Sequence, residues 1–161
     1  MKLPVKGVIV GVAAVGIAAA AFAQPLGNGW LLGAPDDATR FELIQDDAGG
    51  FGRAMFEASI RYERMYEAIV DGNLELAAHH WDTIEGSVSA GIVRRPGRAA
   101  NVNAFLLDDV WDQVMAELES GDQARAEAAF MVARVSCMGC HQAEDVAYLN
   151  DQRMFTDLVF E

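Results

Sequence analysis

The apolar residues of this chain recur every three or four positions from residue 50 onward, which is the spacing of a buried helical face. One stretch runs from Gly50 to Gly72, and a second begins at a capping Asn73 and ends near Pro96, which cannot continue a helix. The predicted buried faces are Met55, Ala58, Tyr62, Met65 and Ile69 in the first stretch, and Leu74, Ala77, Trp81, Ile84 and Val88 in the second.

Two further stretches show the same spacing, and neither they nor the first two show the two-residue alternation of a strand. The third carries Phe105 or Leu106, Val110, Val114 and Leu118 and stops at Ser120 and Gly121. Asp122 opens the fourth, whose face is Ala126, Phe130, Ala133, Cys137, Cys140, His141 and Glu144. Because short turns make successive helices run in opposite directions, we predict an all-α fold, an antiparallel up-and-down four-helix bundle.

The bundle is predicted over residues 50–144, with less regular segments on both sides, and the 161 residues suffice for one domain. Residues 24–49 are predicted to form an irregular arm that contains one short helix, at 36–47, behind an aspartate cap. Residues 145–161 are predicted to form an irregular C-terminal tail.

Residues 1–23 have the composition of a secretory signal peptide. Lys2 and Lys6 precede an apolar run, and the small residues Ala21 and Ala23 follow it. An uncleaved anchor is the alternative, since the run is close to the shortest that can cross a bilayer. We expect cleavage after Ala23 and export to a bacterial periplasm, with membrane contact only if this segment is retained.

The chain is strongly acidic, with a formal net charge of −12 at pH 7. Residues 1–23 hold two of its 12 basic residues and none of its 24 acidic ones, so the remainder is more acidic still. This balance argues against binding to the phosphates of nucleic acid. A protein partner is expected to present a basic docking face.

Both cysteines of the chain stand in one short motif, Cys137-Met138-Gly139-Cys140-His141. Such a motif can be a disulfide redox pair, half of a zinc site or an attachment site for haem. Zinc needs three or four ligands, and the other two histidines lie on a different predicted helix. A redox pair is expected at the start of a helix after a strand, where the helix dipole lowers the thiol pKa, whereas this motif lies late in a helix.

Covalent haem attachment agrees with the motif and with the predicted export. Cys137 and Cys140 are predicted to form thioethers with one haem c, and His141 is predicted to bind its iron. Met138 and Gly139 are interpreted as spacers.

The motif on the last of four helices resembles that of the class II cytochromes c, which include the cytochromes c′ and their low-spin, methionine-ligated relatives. The resemblance covers roughly residues 50–144, and the arm and the tail depart from it. The stretches DGNLELAAHHW and RRPGR also resemble parts of less characterised bacterial helical-bundle c-type cytochromes. The resemblance implies electron transfer rather than an enzyme, a redox partner protein, and a homodimer as the candidate oligomer.

The resemblance also implies that the second axial position of the iron is served from the first half of the first helix. Met55 lies there and is the first candidate ligand, with Met65 as runner-up. Met154 in the tail and the pair His79 and His80 are weaker alternatives, and core packing is the competing role for each methionine. Methionine ligation favours electron transfer, whereas an open position favours binding of nitric oxide or carbon monoxide.

Other residues are candidates for contacts with the rest of the cofactor. The anionic propionates of haem need donors, and arginine supplies planar bidentate ones. Tyr62 is a candidate hydrogen-bond donor or packing partner beside the iron. The candidate propionate partners are Arg134, Arg94, Arg95 and Arg98, for which exposure to solvent is the alternative role.

Overall fold

The structure is a computed structural model that describes residues 29–160, so the predicted signal segment 1–23 lies outside the described residues. Within residues 29–160 the chain is helical and contains no strand, which confirms the predicted all-helical class. The α-helices are α1 (Asp37–Ala48), α2 (Phe51–Val70), α3 (Leu74–Arg94), α4 (Ala99–Val102), α5 (Val110–Glu119), α6 (Gln123–Ala143) and α7 (Arg153–Thr156). Shorter turns are the 3-10 helices Pro96–Arg98 and Ala147–Asp151 and the π-helix Asn103–Leu107.

The chain divides into two units after Arg40. In the first unit, the Asp36 carboxylate accepts a hydrogen bond from the Thr39 amide at 2.8 Å, which caps α1 as the sequence predicts. The second unit holds the long helices and all residues of the candidate site. No helix among residues 29–160 is both long enough and apolar enough to cross a membrane.

The turn between α2 and α3 shows how local sequence fixes two helix ends at once. Gly72 has φ +70°, a conformation that glycine adopts without strain, and the Asn73 amide donates to Ala68 O at 2.8 Å to close α2. The Asn73 side chain then accepts from the Leu76 amide at 3.1 Å and opens α3. Asp122 caps α6 in the same way, through the Arg125 amide at 3.0 Å.

The core of the second unit forms where α2 packs against α3, α3 against α5 and α5 against α6. Trp81 and Trp111 stack with ring centroids 4.3 Å apart, and the Trp81 indole donates to Trp111 O at 3.1 Å. Burying a large apolar side chain contributes about 1.5–3 kcal/mol, so these residues hold the helices together. The largest fully buried side chains are Trp81, Phe130, Met65, Ile69, Leu118 and Val114.

The third predicted helix is interrupted in the structure. A π-helical turn separates α4 from α5, and Asp108 and Asp109 lie in the turn between. The Asp108 amide donates to Asn103 O at 3.0 Å, which is the wider hydrogen bond of a π-turn, and the buried residues Leu106 and Trp111 lie on the two sides of this break. The expectation of one regular helix here was wrong for that reason.

The C-terminal tail, predicted to be irregular, is folded onto the helices. Its 3-10 helix contacts α6, and Met154 and Phe155 are buried. The Arg134 guanidinium donates to Leu158 O, and Tyr66 Oη donates to Val159 O at 2.5 Å. These contacts are distant in sequence, which is why helical periodicity did not reveal them.

Candidate functional site

A cavity of about 510 Å³ lies among α2, α3, α4, the π-helix, α6 and the tail, a volume within the range of small-molecule and cofactor sites. Its walls are mainly apolar, with Ala58, Ile84, Val88, Val102 and Leu106 among the lining residues. Such walls exclude water from a bound group.

The predicted motif supplies one wall of this cavity. Cys137, Cys140 and His141 all line it from the last turns of α6. Both thiols are free and half-buried, and desolvation raises the pKa of Cys137 to about 12 and also raises that of Cys140. A redox-active pair needs a lowered thiol pKa, so this environment does not favour thiol–disulfide exchange.

The π-helix brings an aromatic ring against the motif. An added Cβ on Gly139 would lie 2.9 Å from the Phe105 ring, so a glycine is required for this close approach. Ser136 Oγ donates a hydrogen bond to Phe105 O and fixes the same contact from the other side. Gly139 is therefore a packing position as well as a spacer.

His141 has contacts that the sequence did not predict. Its Nδ1 lies 2.8 Å from Asn150 Oδ1, and Asn150 Nδ2 donates to Met138 O at 3.1 Å. The Phe155 ring packs edge-on against the imidazole, with centroids 5.5 Å apart. Both partners belong to the tail, and Met154 of the tail also lines the cavity.

The two methionines proposed on the first helix occupy different surroundings. Met55 is half-buried and lines the cavity from the first half of α2. Met65 is fully buried in the core and is not among the lining residues. The structure thus brings Met55, and not Met65, together with the motif.

Tyr62 also lines the cavity, where its ring stacks on Phe130 at 4.5 Å between centroids. Desolvation raises the pKa of the phenol, which therefore stays protonated and able to donate a hydrogen bond. Arg134 Nε lies 3.5 Å from Tyr62 Oη.

The arginines predicted as propionate partners are mostly elsewhere. Arg134 bonds to Leu158 O, Arg95 Nη1 donates to Arg94 O at 2.8 Å, and none of these three arginines lines the cavity. Arg98 does line it and forms an ion pair with Glu144, another lining residue. The sequence could not separate Arg98 from its neighbours because its partner Glu144 lies 46 residues further along the chain.

The histidine pair on α3 is also apart from the cavity lining. His79 is exposed, whereas His80 is buried and its Nδ1 has no hydrogen-bond partner among the described residues. Among residues 29–160, no group of three or more His, Cys, Asp or Glu residues is arranged to hold a metal ion by itself.

Searches against protein-family models, curated proteins and solved structures found no match to this chain.

Proposed function

We propose that this chain is a monohaem protein similar to the class II c-type cytochromes and that it carries single electrons. The observation that supports this most is the cavity lined together by Cys137, Cys140, His141 and Met55. Its volume and apolar walls suit a large apolar group, and the thiols and imidazole are the groups that covalent haem requires.

For the fold we propose an antiparallel four-helix bundle made of α2, α3, the segment from α4 to α5, and α6. The short connection of three residues between α2 and α3, together with the extensive contact of the two helices, supports opposite directions for this pair. The close packing of α5 on α6, with a short connection at Ser120 to Asp122, supports the same arrangement for the second pair.

When bound, the haem supplies an iron that changes between two oxidation states and so accepts or gives up one electron. Cys137 and Cys140 would hold the cofactor by thioether bonds, and His141 would serve as its protein ligand on one side. Met55 is the proposed second ligand, and the apolar lining would keep water out and set the potential. Arg98 is the proposed donor toward a propionate because it is the predicted arginine that lines the cavity.

Attachment of haem c outside the cytoplasm requires export, for which residues 1–23 are the proposed signal. We propose a periplasmic location and a redox partner whose docking face is basic, because the chain is strongly acidic. A homodimer is the proposed oligomer by resemblance only.

A gas-binding protein is the second candidate function. It is favoured by the apolar side chains that line the cavity together with Met55, such as Ile84 and Val88, because they would shield an open iron position. In that case Met55 would pack beside the cofactor rather than bind it.

The optical spectrum of the protein matured in a periplasm separates the two functions. A low-spin spectrum that carbon monoxide does not change, and that Met55→Ala converts to a carbon monoxide-sensitive one, supports electron transfer. A carbon monoxide-sensitive spectrum in the unmutated protein supports gas binding. Met131→Ala is the matched control, since Met131 is exposed on α6 and does not line the cavity. Met154→Ala tests the alternative ligand in the tail.

A further inference from the structure

We propose that Asn150, in the tail, is the positioning residue that holds His141 in the tautomer able to bind iron. This inference rests on the proposed haem function. It assigns the tail a role that neither the motif nor the class II resemblance includes.

The hydrogen bonds of the Asn150 amide fix which of its two ends faces the histidine. The end toward Met138 O must be the NH₂ group, because a backbone carbonyl only accepts hydrogen bonds, and the distance is 3.1 Å. The opposite end, 2.8 Å from His141 Nδ1, is therefore the carbonyl oxygen. Met138 O thus determines the orientation of the amide.

This orientation fixes the proton on the imidazole. Since Asn150 Oδ1 only accepts, His141 Nδ1 must carry the hydrogen and donate it. The neutral ring then has its lone pair on Nε2, the nitrogen left to bind a metal. The Phe155 ring, edge-on at 5.5 Å between centroids, restricts the ring further.

The end of α6 is shaped to bring Asn150 back to the histidine. Asp145 adopts φ +59°, the Val146 amide donates to His141 O at 2.9 Å, and the Asp145 amide donates to Gln142 O at 3.2 Å. This pair of bonds is a Schellman turn, which reverses the chain directly after the motif. The 3-10 helix 147–151 follows at once and places Asn150 beside α6.

The proposal predicts opposite effects for two substitutions at this position. Asn150→Leu removes the acceptor, so the imidazole becomes a weaker donor to iron and the midpoint potential rises. Asn150→Asp replaces the amide acceptor with a negatively charged carboxylate, so the imidazole becomes more basic, ferric iron is stabilised and the potential falls. A residue that merely anchored the tail would shift both variants in the same direction.

The test is redox titration of the haem-loaded full chain, together with ¹⁵N NMR of the histidine ring in the reduced state. Tyr66→Phe is the matched control, because it removes the hydrogen bond that the α2 residue Tyr66 donates to Val159 O of the same tail, and Tyr66 does not hydrogen-bond to His141. Opposite shifts for Asn150→Leu and Asn150→Asp, an unchanged potential for Tyr66→Phe, and a proton on Nδ1 in the unmutated protein are expected.

Shifts of equal sign, no shift, or an Nδ1 without its proton would overturn the role of Asn150 while leaving the haem function intact. Should Asn150→Leu not mature, the comparison of Asn150→Asp with the unmutated protein decides, since the potential must then fall. An unmutated chain that takes up no haem overturns the proposed function itself, so the two failures are distinguishable.

Discussion

The second unit has two halves that are built from the same helices: one half is a close-packed core and the other contains the cavity. In the sealed half, defined by Met65, Ile69, Trp81, Val114 and Leu118, each residue is at most 1% exposed. In the cavity half, defined by the residues that line the 510 Å³ cavity, α2 and α6 both contribute lining residues, and the tail adds Met154 and Phe155. Met55 and Met65 stand on one face of α2, yet one lines the cavity and the other fills the core.

The difference shows that helical spacing reports burial but not what a residue is buried against. A methionine fills an irregular core space as readily as it faces a cofactor, so its type does not decide between them. The decision comes from the facing helices: α3, for example, places Trp81 in the sealed half and Ile84 and Val88 at the cavity. Matched substitutions in the sealed half and in the cavity half should therefore have different effects on stability.

The largest expected effect on stability is in the sealed half. Met65→Ala removes a fully buried side chain from a close-packed region and is expected to lower the free energy of unfolding by about 2–5 kcal/mol. Met55→Ala opens an existing cavity and is expected to cost about 1 kcal/mol or less. Urea unfolding of both variants measures the difference, and equal losses would contradict the division into halves.

A smaller effect is expected at the motif. Gly139→Ala adds a methyl group whose carbon would lie 2.9 Å from the Phe105 ring. This substitution is expected to lower the free energy of unfolding by about 1–3 kcal/mol. Gly86→Ala is the control in the middle of α3, since an added methyl group there would have no neighbouring atom within 4 Å. It is expected to raise the free energy of unfolding by about 0.5–1 kcal/mol, because alanine favours a helix more than glycine does. Thermal unfolding compares them, and a stabilising Gly139→Ala would show that Phe105 does not approach the motif.

The smallest expected effect is a pH dependence of stability that comes from His80. Desolvation, followed by the nearby Arg61 guanidinium, lowers the pKa of His80. The unfolded chain then binds more protons as the pH falls below about 6.5, so stability decreases from there toward the lowered pKa and levels off beneath it. His80→Gln is expected to flatten that slope, measured by urea unfolding across pH 5 to 8.

His79→Gln is the control for that measurement, because His79 is the exposed neighbour on the same helix. It is expected to change the slope less than His80→Gln does, because the charge of His79 is a smaller cause of the lowered pKa of His80 than burial and Arg61 are. A slope that persists in His80→Gln and disappears in His79→Gln would reverse the assignment.

The sequence predicted the features whose causes are local. Helical spacing and capping residues predicted α2, α3 and α6. Asn73 and Asp122 are residue types that favour helix starts, and their side chains accept the capping hydrogen bonds in the structure. The motif revealed Cys137, Cys140 and His141 as one group, and the structure places all three on one cavity.

The remaining features depend on contacts between residues that are far apart in the sequence. Nothing near Asn150 in sequence indicates that it meets His141, because the Schellman turn at Asp145 carries no glycine as a signal. The sequence did not predict the π-helix at 103–107, because the apolar residues of this segment still recur at the intervals of an α-helix. Arg134 was a reasonable propionate partner one turn before the motif, but the folded tail engages it instead.

The central claim is tested most directly by the intact mass of the chain, purified under denaturing conditions from a host that matures c-type cytochromes. We expect the polypeptide to carry one haem that denaturant does not remove, and a Cys137→Ala, Cys140→Ala double variant to carry none. A chain of bare polypeptide mass, with both thiols open to alkylation, would contradict the proposal.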